Sequence, residues 1–81
     1  MPPTSAVLDF LLPRWPAKKA KRVLAALLEI GWSEKRHSGS HAVLERPGWP
    51  NYTFAFHADE EIGPKMLTRI AKQTGLTPRD L

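Results

Sequence analysis

The chain has 81 residues, 42% of them hydrophobic, and twelve Lys and Arg against eight Asp and Glu give a formal net charge of +4. That length builds one small domain, and without cysteine there is neither a disulfide framework nor a thiolate metal site to staple it. No stretch approaches the roughly 20 apolar residues of a membrane span, and the N-terminus lacks the basic start and apolar run of a secretory signal, so a soluble cytoplasmic protein is expected.

Residues 1–16 read as an extension with its own character. Pro2, Pro3, Pro13 and Pro16 bracket the apolar run Ala6 to Leu12, where Thr4 or Ser5 can cap a short helix that Pro13 ends. The domain proper is expected over 17–81. From Pro16, the i, i+3, i+4 spacing of Ala20, Val23, Leu24, Leu27 and Leu28 predicts an amphipathic helix that Gly31 stops. Three extended segments follow, Trp32–His37, His41–Arg46 and Tyr52–His57. They are joined by Ser38-Gly39-Ser40 and by a five-residue loop, Pro47 to Asn51, in the manner of an antiparallel meander. Trp32 asks for the core while Glu34 and Arg36 do not, a conflict that a bulge would resolve. A second helix runs from Pro64 to Thr74, with Met66, Leu67, Ile70 and Ala71 inward and Gly75 as its stop. Thr77 to Asp80 then reads as a capping box.

The order is αβββα, an α+β fold: a three-stranded antiparallel sheet with two helices on one face and the other face open. Double-stranded-RNA-binding domains share this order, which by itself argues little about function.

Charge is segregated along the chain. Residues 14–46 hold eight basic and three acidic side chains, residues 59–61 are all acidic, and Lys65, Arg69, Lys72 and Arg79 restore positive charge. Clustered cations suit a polyanion through counterion release, although wet helix faces carry lysines routinely. Lys18, Lys19, Arg22, Lys35, Arg36 and Arg46 are the candidate contacts to RNA phosphates.

Two histidines carry the chemical expectation. Period-two alternation puts Tyr52, Phe54 and Phe56 on the buried face and His57 on the open one; Ala42 and Leu44 likewise leave His41 on the open face. Pairing Arg46 with Tyr52 then sets His41 directly opposite His57, while a two-residue slip keeps the faces and offsets the rings. Two imidazoles beside a cation can cleave RNA by internal transfer. One accepts the 2′-hydroxyl proton, a cation (Lys35, Arg36 or Arg46) steadies the phosphorane charge, and an acid protonates the leaving 5′-oxygen. No metal or cofactor is required, and the histidines and carboxylates show no ligand spacing. The bland alternatives are that His41 is a surface residue beside a turn, that His57 caps the acidic stretch after it, and that His37 is simply solvated. Trp49 reads as a loop anchor, with base stacking the second choice.

Taken together, these pieces resemble a known family. The helix ending Leu27-Leu28-Glu29-Ile30-Gly31-Trp32, then Arg36 and Gly39-Ser40-His41, then Thr53 to His57, and finally Glu61-Ile62, Pro64, Leu67, Ile70, Gln73 and Gly75-Leu76 fall in the order seen in HicA-type toxins. These are the small mRNA interferases of HicBA toxin–antitoxin pairs, also called the YcfA-like family, and the resemblance covers about Lys19 to Leu81. It implies a double-stranded-RNA-binding-like fold, mRNA cleavage that blocks translation, and neutralisation by a cognate HicB-like antitoxin. The family's catalytic histidine falls on His41, and His57 matches a recurring family position. Ala55 stands where the family often has proline, and Lys65-Met66 where it often has Gly-Thr. Residues 1–16 have no counterpart in compact members. A non-catalytic RNA-binding module of the same fold, or a degenerate toxin that binds only its antitoxin, are the competing readings.

Overall fold

The structure, a computed structural model, describes residues 15–81. The short helix expected between Thr4 and Pro13 lies outside the described residues. Element order is β1 (Lys18–Lys19), α1 (Ala20–Glu29), β2 (Ser33–Ser38), β3 (His41–Arg46), β4 (Trp49–Ala55), β5 (Glu61–Ile62) and α2 (Pro64–Thr74), followed by a 3-10 turn at Pro78–Asp80. Strands β2, β3 and β4 form the expected antiparallel sheet, with both helices on one face. No helix among the described residues is long and apolar enough to cross a membrane.

Helix α1 begins at Ala20 rather than at Pro16. Lys18 and Lys19 are extended and pair with Ile62 and Glu61, a two-stranded ribbon that the sequence pattern did not suggest. The reason is a long-range cap. No side chain caps α1; instead the Ala20 and Lys21 N–H groups donate to the carbonyls of Glu60 (2.8 Å) and Ala58 (3.0 Å). Free donors of the first turn are thus satisfied by a distant loop. The C-terminus of α1 follows local chemistry: Trp32 N–H bonds Leu27 C=O and Gly31 N–H bonds Leu28 C=O, the Schellman pattern. That closure drops Trp32 straight into the core, where its indole N–H donates 3.0 Å to the buried Thr74 carbonyl at the end of α2.

The core is one cluster: Val23, Ala26 and Leu27 from α1, Leu44 and Phe54 from the sheet, and Leu67, Ile70 and Leu76 from the α2 region. Leu24 is only partly buried and Leu28 is 44% exposed, so the α1 stripe sits rotated from the expected one, with Ala26 inside in place of Leu28. On α2, Thr74 is buried and Met66 is not. Thr77 and Asp80 form the expected reciprocal cap, with Thr77 N–H donating 2.7 Å to the Asp80 carboxylate.

Two irregularities set the sheet register. Lys35 is an extra residue on β2, between the pairs Glu34–Leu44 and Arg36–Val43. A second irregularity lies between Leu44–Tyr52 and Arg46–Trp49. The five-residue loop expected after Arg46 is therefore a two-residue turn, Pro47-Gly48, and Trp49 is already in the strand. Proline at the first central position and a positive φ of 83° at Gly48 match a type II turn. Trp49 is drawn in by packing: its ring meets Trp32 edge-on at 6.0 Å and lies against Gly75.

Gly75 ends α2 in the left-handed region at φ 78°, and a Cβ there would stand 3.0 Å from the Trp49 ring; at Gly48 a Cβ would meet nothing within 4 Å. Both Gly→Ala changes pay for the positive φ, which costs about 1 kcal/mol or more. Gly75→Ala should destabilise by roughly a further 1 kcal/mol than Gly48→Ala, as overpacking does. Urea denaturation of the two variants checks this, and equal midpoints would contradict the Trp49 contact.

Candidate functional site

The β2–β3 hairpin turns on Gly39 and Ser40, with Ser38 paired to His41. Gly39 has φ 59° and Ser40 is not left-handed, the pattern of a type II′ turn with glycine first. This turn delivers His41 as the first residue of β3, on the sheet face away from the helices and exposed. Its direct neighbours across the strands are Ser38 and Ala55, both small. Its diagonal neighbours on the same face are Arg36 and Thr53, at the roughly 7–8 Å separation that a long side chain bridges. The open face near the turn therefore carries an imidazole, a guanidinium and two hydroxyls on exposed positions. Neither Ser38 nor Thr53 was among the expected site residues; the strand pairing that sets them beside His41 depends on the two irregularities in register.

His41 does not face His57. The observed partner is Ala55, because pairing runs Leu44–Tyr52, Ala42–Phe54 and His41–Ala55, shifted by two residues from the expected register. The inward and outward faces are as expected; the offset comes from the short Pro47-Gly48 turn. β4 ends at Ala55, and the exposed His57 lies two residues beyond it. It lines a groove of about 380 Å³ on the helix side, with Lys21, Leu24 and Leu28 of α1, Phe56, and His37, Gly39 and Ser40 of the hairpin. The backbone of His57 closes a turn with Glu60, donating to its carboxylate and accepting from its N–H. So the capping role weighed for this residue is present in its backbone.

His37 is not merely solvated. Its Nδ1 lies 2.6 Å from the Glu34 carboxylate and its Nε2 lies 2.6 Å from the Gly39 carbonyl oxygen.

The candidate cations are divided. Arg36 is on the open face diagonal to His41, and Lys35 is exposed in the bulge next to it. Arg46 is elsewhere. It lies at the far end of β3, about 17 Å along the strand from His41 at 3.3–3.4 Å per residue. There it stacks 5.4 Å over the Trp49 ring and runs along Gly31. It cannot steady charge at His41, and Trp49 is the anchor it packs on. Arg22 is turned toward the C-terminus, donating to the Asp80 carbonyl at 3.3 Å and lying 3.9 Å from Glu29. Lys18 and Lys19 belong to β1 rather than to a helix face. Burial pushes the Tyr52 phenol above its ordinary 10.0, so it stays protonated where imidazoles titrate and takes no part in their proton traffic.

With this arrangement in place, comparison with known families is decisive for kinship. A family model described as HicA toxin of bacterial toxin-antitoxin matches residues 20–76, most of the chain. The chain belongs to the HicA toxin family. No curated protein matches it. The HicA match spans α1, the whole sheet, β5 and α2, and so includes His41, His57 and the Gly39-Ser40 turn. It makes the chain a toxin component, for which an antitoxin partner is implied.

The division of the cations predicts a division of effects. Arg46→Ala should lower the thermal midpoint, by the several degrees that about 1 kcal/mol produces in a domain this small, because the Trp49 face it covers is uncovered. Arg36→Ala should leave the midpoint within about a degree, as exposed substitutions do. Scanning calorimetry of both variants checks the pair, and a reversed ranking would contradict the packing described.

Proposed function

We propose that this HicA-family toxin is a metal-independent endoribonuclease that cleaves mRNA, with His41 as its principal acid–base group. The observation that carries the reading is the setting of His41: exposed at the end of a two-residue turn, flanked by Ser38 and Ala55, and one diagonal step from Arg36. Small flanking residues leave room for a ribose, and a planar guanidinium suits the non-bridging phosphate oxygens by paired hydrogen bonds.

The chemistry balances without an added reactant. Neutral His41 accepts the 2′-hydroxyl proton as O2′ attacks phosphorus. Arg36, with Lys35 beside it, steadies the charge on the non-bridging oxygens. The P–O5′ bond breaks as an acid protonates the departing oxygen, leaving a 2′,3′-cyclic phosphate and a 5′-hydroxyl. His57, two residues beyond the His41–Ala55 pair, is assigned the second proton transfer, to O5′ of that same phosphate. Because the register offsets His57 by two residues from the partner of His41, its share is expected to be the smaller. Lys18, Lys19 and Arg22 remain proposed phosphate contacts at a distance from the bond cleaved. The proposed partners are mRNA, in the cytoplasm, and a HicB-like antitoxin.

Purified His41→Ala should cleave RNA at least about 10²-fold more slowly than the parent, the lower end of what a positioned acid or base contributes. His57→Ala should lose less. Denaturing gels of a labelled transcript, with chelator present throughout, give both rates. An unchanged rate for His41→Ala would rule out this residue. Salt-dependent binding with an intact transcript from the parent itself would favour the non-catalytic RNA-binding reading.

A further inference from the structure

Glu34 and His37 are three residues apart on one strand, and in an unbroken pleat they would stand on opposite faces. The extra residue Lys35 cancels that: Glu34 pairs with Leu44 and His37 with Ala42, both of which face the helices. The bulge thereby brings the Glu34 carboxylate to 2.6 Å from His37 Nδ1, while Nε2 reaches the Gly39 carbonyl at 2.6 Å. Both partners are acceptors. Each ring nitrogen thus has one of these oxygens within hydrogen-bond reach.

The carbonyl being held is that of the first central residue of the type II′ turn. Fixing it fixes the peptide plane between Gly39 and Ser40, and the next residue is His41. Gly39 has no Cβ, and among the described residues nothing lies within 4 Å of where one would be, so no side-chain packing holds this residue from that side. We infer that the Glu34–His37 pair is a positioning device: it clamps the Gly39 carbonyl and so sets the aim of the His41 imidazole on the opposite face. The inference rests on the nuclease reading of His41. His37 itself is not a catalytic residue in it, because both its nitrogens are already occupied by partners in the protein.

The claim separates aim from binding. Losing the clamp leaves the RNA contacts in place but lets the turn relax, and small misplacements of a reacting group cost up to about 10²-fold. His37→Ala should therefore lower kcat by roughly 10-fold or more with KM within about 2-fold. Glu34→Gln keeps an acceptor oxygen but not the charge, and should fall between it and the parent. Since Glu34 acts through His37, adding Glu34→Gln to His37→Ala should cost nothing further, a non-additivity that a double-mutant cycle reads. Nitrogen–proton NMR supplies a readout independent of RNA: the Ser40 and His41 backbone amide resonances should shift in His37→Ala and, by less, in Glu34→Gln.

Four results would overturn the inference. They are an unchanged kcat for His37→Ala, a raised KM at constant kcat (which would make His37 an RNA contact), additive losses in the cycle, or Ser40 and His41 amides that stay in place in His37→Ala. A parent that cuts no RNA sinks the nuclease reading and the aiming role with it, while the NMR still shows whether the clamp exists.

Discussion

One extra residue in β2 decides which chemistry reaches which face. Lys35 shifts the pleat between the Glu34–Leu44 and Arg36–Val43 pairs. Upstream of it, the strand is tied to the core through Trp32, whose indole is held by the Thr74 carbonyl. Downstream, the strand must present Arg36 and Ser38 beside His41. Without the extra residue those two demands conflict, because either Trp32 or the Arg36–Ser38 pair would stand on the wrong side of the sheet. A bulge satisfies both at the cost of one unpaired residue. It also creates a by-product on the helix side, the meeting of Glu34 with His37.

The rest of the molecule supports that strand. α1 is capped by the backbone of residues 58 and 60 and closed by the Schellman bonds that lead into Trp32, so its position is tied at both ends to the sheet and its connections. α2 ends at Gly75, against which Trp49 packs, with Arg46 stacked over the same ring. The aromatic cluster of Trp32, Trp49 and Tyr52 thus anchors one end of the sheet. His41 occupies the other end. A rigid scaffold with its reactive group on a tight turn at the far rim is a common way for small domains to combine order with access.

Much of this was legible in the residues. The helix stops at Gly31 and Gly75, the span of α2, the cap at Thr77, the inward and outward faces of β3 and β4, and the exposure of His41 all follow from local spacing and turn chemistry. What escaped has a common cause, which is contact between residues distant in sequence. The start of α1 is set by carbonyls nearly forty positions away, and β1 and β5 are too short to carry a periodic signal. The two-residue slip that separates His41 from His57 was created by Trp49 packing on Trp32 and Gly75, a tertiary preference that overrode a plausible longer loop. The need for a bulge was visible in the clash between Trp32 and Arg36, but not its consequence, the pairing of Glu34 with His37. Among the cations, only the register could show that Arg36 is near His41, whereas the distance of Arg46, five residues along the same strand, follows from strand spacing.

The account stands on the sorting of faces by that bulge: RNA should meet the open face at the hairpin end. The most direct measurement is a titration of nitrogen-15-labelled His41→Ala protein with a short RNA, followed through backbone amide shifts. The account predicts that the perturbations cluster at Arg36, Ser38, residue 41 and Thr53, and spread over the Gly39-Ser40 edge. Perturbations confined to α2 and the Arg46–Trp49 end of the sheet, with the open face silent, would contradict it.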